Sequence, residues 1–378
     1  MSKPRARIAL LLLVPLLIAV ASTGIVLRSL PGAVREAPAR SAGPAFVFAE
    51  FGLSADLVYR APAADPGRRT LVATVEHAEG WGINPASAMA GSLVAYTVLP
   101  ASGPAHREAR AELWLLDVRT RALTRLARDA DLLVAPVFDR AAGYLAYRSR
   151  GPLGEQRLVR VDLDSGARRV QHSYDGAFGV YPLGFTNDGA LLFARLSPVG
   201  TDIFGVRDEQ PAELLLHASD DIARNWRLSP DGHWLSYLAP ELAAERIVHR
   251  LHVMALGDGA EGSLAAGVAA AAEQFAPVWT PTGDGVTVGL EAYPALSAAA
   301  VTLSLAGGGA TILAAPERGF DAPLGWSPDG RYLAARAFDG ASSFDPGRES
   351  LVVISTDGVR RPIAARTELI FLGWLSSG

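Results

Sequence analysis

The chain contains no cysteine and a single lysine, Lys3. Without cysteine there can be no disulfide, thiolate nucleophile or zinc–thiolate site. Acylation of a cysteine, the lipoprotein route to a membrane, is closed for the same reason. Charge is modest: charged residues make up 20% of the chain and the net charge is −4, so the basic footprint of a nucleic-acid binder is missing. No Gly-x-Ser-x-Gly elbow, phosphate-binding loop, His-Glu-x-x-His helix or EF-hand loop occurs. These absences leave no catalytic residue, metal ligand or cofactor to nominate from a motif.

What is present is turn chemistry. The 38 glycines and 25 prolines are spread along 378 residues of which 49% are hydrophobic. That composition suits many short elements joined by turns.

The N-terminus is a separate case. Lys3, Arg5 and Arg7 precede an uncharged apolar run over residues 8–27, which Arg28 ends. As a helix, this run would be about 30 Å long, the thickness of a bilayer core. The leading positive charges predict a cytoplasmic N-terminus and export of the rest. A cleaved signal peptide is the alternative, with Ala19-Val20-Ala21 as its small-x-small site. Residues 1–28 therefore read as a transmembrane signal anchor or signal peptide, 29–45 as a Pro/Gly/Ala linker, and 46–378 as the folded domain. Both alternatives predict an extracytoplasmic domain, tethered to the cell membrane or released from it.

That domain carries an internal repeat. Ser229-Pro230-Asp231-Gly232 and Ser327-Pro328-Asp329-Gly330 each follow an aromatic strand and precede Trp-Leu-Ser-Tyr or Tyr-Leu-Ala-Ala. Weaker copies centre on Gly91, Gly143, Gly189 and Gly285. The six turn glycines lie 43 to 53 residues apart, the period of a four-stranded propeller blade. Proline presets φ, aspartate bonds the backbone, and glycine takes the positive φ that closes a hairpin. Asp329 and Gly330 are thus structural turn residues, as are the five earlier glycines.

The termini complete the pattern. Residues 370–375 read as a first strand without a hairpin partner, while 46–50, 56–60 and 70–75 read as second, third and fourth strands. Joined, they form a split blade that closes a ring and hides its sheet edges. The expectation is an all-β, seven-bladed β-propeller of four-stranded blades preceded by one N-terminal helix. Six blades is the alternative, if the alanine-rich repeat near Gly285 merges with its neighbours.

The hairpins resemble the Tol-B-like, WD-type family of propeller repeats. Ser327-Pro328-Asp329-Gly330-Arg331-Tyr332-Leu333-Ala334 carries the likeness most fully, and the 229–236 copy carries it well. The resemblance covers about residues 46–378 and implies fold more than function, since such repeats serve in periplasmic adaptors and beside peptidase domains.

Other candidates are sparse. Arg224, Asn225 and Trp226 begin a first strand and are weak candidates for a ligand contact in the central channel. Trp81, Trp226, Trp279, Trp326 and Trp374 recur near first strands and read as packing between blades. The pairs Asp220 with Asp221, Asp162 with Asp164, and Asp129 with Asp131 read as turn aspartates before calcium ligands. His249 and His252 lie on one strand at a spacing unsuited to a shared metal. The longer loops at 338–348 and 100–110 are the preferred contact surfaces. Together these predict a non-catalytic, membrane-tethered propeller that binds a protein partner or small ligand on one face. Two alternatives stand beside it: a lyase or hydrolase acting at the channel mouth, and a sensory or scaffold subunit of a membrane complex.

Overall fold

Apolar runs of five to eight residues cut by tight turns can satisfy their backbone only by pairing with neighbouring runs. In the computed structural model they do so. It describes residues 43–375 except 152–153, 177, 209, 244, 258–271, 308 and 366. Among the described residues there is no helix, and nearly every strand pairing is antiparallel. The N-terminal run at 8–27 lies outside the described residues. Among those described, no helix is long and apolar enough to cross a membrane.

The strands step outward in sheets. One sheet joins Leu369–Leu375, Ala45–Glu50, Ala55–Pro62 and Thr70–Glu76 in that order. Here the termini pair as the sequence predicts: Phe46 lies opposite Trp374 and Glu50 opposite Leu369. Ala88–Ala90, Leu93–Val98, Arg110–Asp117 and Ala122–Asp131 form the next group. Val137–Phe138, Tyr144–Arg150, Gln156–Asp162 and Arg168–Tyr174 follow, fused to the previous group by one pair, Ala130 with Ser149. Further sheets start from Val180–Phe185, Arg224–Leu228, Gln274–Trp279 and Gly319–Trp326. Two departures from uniform four-stranded sheets are visible. The sheet of Arg224–Leu228 has three described strands, and Ser297–Ala298 adds a parallel fifth strand against Gly319 and Phe320.

First strands of successive sheets touch in turn, and Leu369–Leu375 touches both Gly319–Trp326 and Ala88–Ala90. The ring is closed, and the fold is a β-propeller. Its hydrophobic core is correspondingly divided: among the described residues seven buried clusters each lie between two consecutive sheets. The cluster at the closure packs Phe46 and Phe48 against Leu351 and Val353. Tryptophans on the first strands lace neighbouring sheets together, as their recurrence suggests. Trp279 Nε1 donates to Arg227 O (3.0 Å), Trp326 Nε1 to Thr287 Oγ1 (2.8 Å) and Trp374 Nε1 to Gly325 O (2.8 Å). Each indole thereby satisfies its polar edge inside an apolar interface.

The turns hold one correction. Gly91, Gly189, Gly232 and Gly330 have positive φ as expected, but Gly143 and Gly285 do not. In those two copies the left-handed residue is Ala142 (φ 55°) or Gly283 (φ 75°). The true repeat starts at a side-chain acceptor. Ser327 Oγ accepts from Tyr332 N (3.0 Å), Ser229 Oγ from Trp234 N (2.9 Å), Thr280 Oγ1 from Gly285 N (3.2 Å) and Asp139 Oδ1 from Tyr144 N (2.7 Å). Three residues after that acceptor, an N–H closes the turn onto its carbonyl, from Gly330, Gly232, Gly283 or Ala142. Aligning on the nearest glycine displaces two copies by one and two residues.

Substitution separates these cases. Gly330→Ala and Gly283→Ala should each cost about 1–2 kcal/mol, because a side chain must be held at positive φ. A Cβ on Gly143 meets nothing within 4 Å, so Gly143→Ala should stay within about 0.5 kcal/mol of the parent. Ala142→Gly should stabilise the protein. Urea unfolding checks all four, and equal costs at Gly143 and Gly283 would refute the turn assignment.

Candidate functional site

Most first strands in this ring are bulged, among them the two that border the larger side pocket. In Arg224–Leu228, Asn225 and Trp226 together oppose Tyr237, with Asn225 at φ 57°. In Gln274–Trp279 the same irregularity follows Phe275, with Ala276 at φ 43°. A bulge re-aims side chains on either side of it. The three weak channel candidates are consequently split. Trp226 lines the central channel and stacks on Tyr237 (4.7 Å between centroids), whereas Arg224 and Asn225 line a separate pocket at the N-terminal ends of the first strands.

That pocket has a volume of about 790 Å³. Phe275, Phe320 and Phe338 form one wall, stacked at 4.9 and 5.0 Å. Phe344, 94% exposed, stands at the mouth from the 338–348 loop that the sequence marks as a contact surface. Ile247 flanks it from the tip of the long hairpin formed by Trp234–Ala243 and Arg246–Ala255.

Polar groups converge on the opposite side. Glu273 Oε1 accepts from Arg224 Nη2 and from His249 Nδ1, both at 2.9 Å, while Glu273 Oε2 accepts from the His249 backbone N–H at 2.7 Å. Glu291, almost fully buried, pairs with Arg246 at 2.5 Å and holds its guanidinium above the ordinary arginine value. With the Glu273 carboxylate as acceptor, the imidazole donates through Nδ1. Arg224 spends only part of its guanidinium fork on Glu273.

Sequence reasoning names Arg224 and His249 but misses Arg246, Glu273 and Glu291. The available signal was a charged residue at the start of an otherwise apolar first strand, as at Arg224 and again beside Gln274. Nothing in the linear order shows that these lie together.

The aspartate pairs resolve into local work. Asp162 caps its own turn through the N–H groups of Asp164 and Ser165, at 3.1 and 2.8 Å. Asp129 pairs with Arg168, and Asp131 with Arg148 and Arg150. Asp220 shares His217 with Asp202, at 3.0 and 2.8 Å. Among the described residues, no three His, Asp or Glu side chains converge as a metal would need. His252 turns to Glu241 (2.8 Å), away from the partner of His249.

No protein-family model matches this sequence, and no curated protein does. The structure matches the β-propeller domain of the trilobed protease from Pyrococcus furiosus at a TM-score of 0.54, with 12% identity over 86% of this chain and 98% of that one. It matches an oligogalacturonate lyase solved in complex with manganese at 0.53, with 14% identity over 72% and 74%. TolB from Acinetobacter baumannii is matched at 0.48, with 13% identity over 73% of this chain and 64% of that one. Prolyl endopeptidase and acylaminoacyl peptidase are matched over only 49% and 50% of their own length. The β-propeller fold is therefore shared with the protease propeller domain, while nothing at the level of sequence supports WD repeats. The expected non-catalytic role is corrected: the fold is shared with a lyase and with propellers of peptidases, and it gives no ground for a binding-only reading.

The two histidines of the sheet that starts at Val180–Phe185 and of its neighbour provide a direct electrostatic check. Hydrogen bonds to Asp202 and Asp220 raise His217 above 6.5, whereas burial, with Arg195 nearby, lowers His172 below it. Protonated His217 should stabilise the fold below its unfolded value and lose that contribution as pH rises through its folded one. Protonating His172 should destabilise as pH falls. NMR titration should place the His217 midpoint above that of His172, and the reverse order would show these contacts to be wrong.

Proposed function

We propose that the chain is a propeller enzyme, a lyase or hydrolase, whose active site is the pocket of Arg224, Arg246, His249, Glu273 and Glu291. The observation that carries this reading is the His249–Glu273–Arg224 arrangement. A carboxylate orients the imidazole, a guanidinium orients the carboxylate, and Nε2 is left to act as a base toward the pocket. Elimination next to a carboxylate fits this set best. His249 Nε2 would take the proton from the carbon beside the carboxylate, and the C–H electron pair would form the new double bond. The C–O bond on the next carbon would break, its oxygen leaving with the electron pair and taking a proton from water. Arg224 and Arg246 would hold the carboxylate and balance the charge that develops. Hydrolysis would use the same base on a water molecule. The stacked phenylalanines would supply a flat apolar face for the body of the substrate.

Galacturonate oligomers are the first substrates to offer, because a lyase of such oligomers shares the fold. The native protein should release an unsaturated product detectable by ultraviolet absorbance. His249→Gln should lower the rate about 10²- to 10⁴-fold, and Arg246→Gln should act mainly on KM. Full activity in His249→Gln would remove the histidine from the mechanism. Failure of the native protein on uronates and on a panel of esters and peptides would overturn the enzyme reading.

The ring is read here as seven blades. Support comes from the closed succession of first strands and from dividing the eight-stranded sheet at its single pair, Ala130 with Ser149. The domain is further proposed to lie outside the cytoplasm, on the strength of Lys3, Arg5 and Arg7 before the apolar run. A reporter active only outside the cytoplasm, fused after Gly378, should function. A mature N-terminus at Ser22 would mean cleavage after Ala21, and a silent reporter with protease-protected protein would refute export.

A further inference from the structure

The central channel, about 690 Å³, has an electrostatic imbalance that the pocket does not share. Its lining contains two guanidiniums, Arg140 and Arg227, and one carboxylate, Asp139. Asp139 Oδ1 is already engaged by Tyr144 N at 2.7 Å, and Arg140 donates to Asn187 Oδ1 at 3.4 Å. Arg227 has no carboxylate partner among the described residues. Its guanidinium reaches only the carbonyl of Trp226, at 3.5 Å.

The contrast lies within a single strand. Arg224, three residues earlier, is paired with Glu273 at 2.9 Å. Arg148 and Arg360, which are largely buried, are paired with Asp131 and Asp321. Arg227 is exposed to the water of the channel, and the protein around that water lowers it below the ordinary arginine value. The lining thus turns two guanidiniums toward the channel while its one carboxylate is engaged by a backbone N–H, so the field inside favours an anion. The low-polarity walls would strengthen that attraction, and the volume falls in the range of small-ligand sites.

We propose that the channel is an anion-binding site centred on Arg227, with Arg140 at its mouth, which takes a small multivalent carboxylate or phosphate. The site is distinct from the pocket of His249 and Glu273 and stands whether or not that pocket is catalytic. The fork of Arg227 would hold the anion through paired N–H donors, and Arg140 would add charge on the approach.

The test is calorimetric titration of the full chain with citrate and with inorganic phosphate, at fixed ionic strength set by sodium chloride. Both anions should bind and should raise the temperature of thermal unfolding. Arg227→Gln should weaken binding about tenfold or more and abolish the thermal shift. The variant should fold, because Trp279 bonds to the backbone carbonyl of residue 227 and not to its side chain. Arg227→Lys, which keeps the charge and loses the fork, should bind with intermediate strength. Arg246→Gln should bind like the parent. The proposal is overturned if neither anion binds the native chain, if Arg227→Gln binds as tightly as the parent, or if Arg246→Gln is the variant that loses binding.

Discussion

The antiparallel pairing of Ala45–Glu50 with Leu369–Leu375 is the contact on which the ring depends. Each sheet is apolar on both faces, so it must be covered by a neighbour on either side. An open row would leave two such faces and their strand edges in water. Closure brings Phe46 and Phe48 against Leu351 and Val353, and it sets Trp374 where its indole reaches Gly325 O. The channel exists because the first strands are held in a circle, and both candidate sites lie at the ends of those strands.

Buried carboxylates show how this scaffold separates structural from chemical roles. Asp56 is wholly buried and accepts from Gly52 N, Ile83 N and His77 Nε2. His77 Nδ1 is in turn committed to Ala78 O, which leaves that imidazole no free nitrogen. Asp321 holds Arg360 through two bonds at 2.7 and 2.8 Å. In these clusters the pairing is complete, and removing one partner would strand a buried charge. Glu273 differs because the His249 it orients lines a cavity and has no partner at Nε2 among the described residues. The same acid–histidine contact is a clamp in one sheet and a candidate base in another, and the second nitrogen makes the difference.

Bulges in the first strands link fold to site. Register shifts follow Pro182, Arg224, Phe275 and Pro323, and a further one falls in the pairing of Leu369–Leu375. In Arg224–Leu228 one five-residue strand serves two cavities, with Arg224 lining the pocket at its start and Arg227 the channel further along.

The propeller was legible in the linear order because its determinants are local. A Ser-Pro-Asp-Gly turn carries its own φ preferences and side-chain bonds, and repetition multiplies a weak signal. Closure was legible too, since unpaired strands at the two ends can satisfy each other. The turn phase at 139–142 was not, because Ala142 occupies a left-handed position where sequence preference expects glycine, and the Asp139 side chain maintains the turn. Nor was the pocket. Arg224 and Arg246 belong to two strands of one sheet, while Glu273 and Glu291 flank two strands of the next, and their meeting depends on blade order. The sequence by itself determined the hairpins and their closure into a ring. Only the tertiary structure decided that Arg224 finds a carboxylate and Arg227 does not, because charge pairing depends on distances across strands that chain order does not encode.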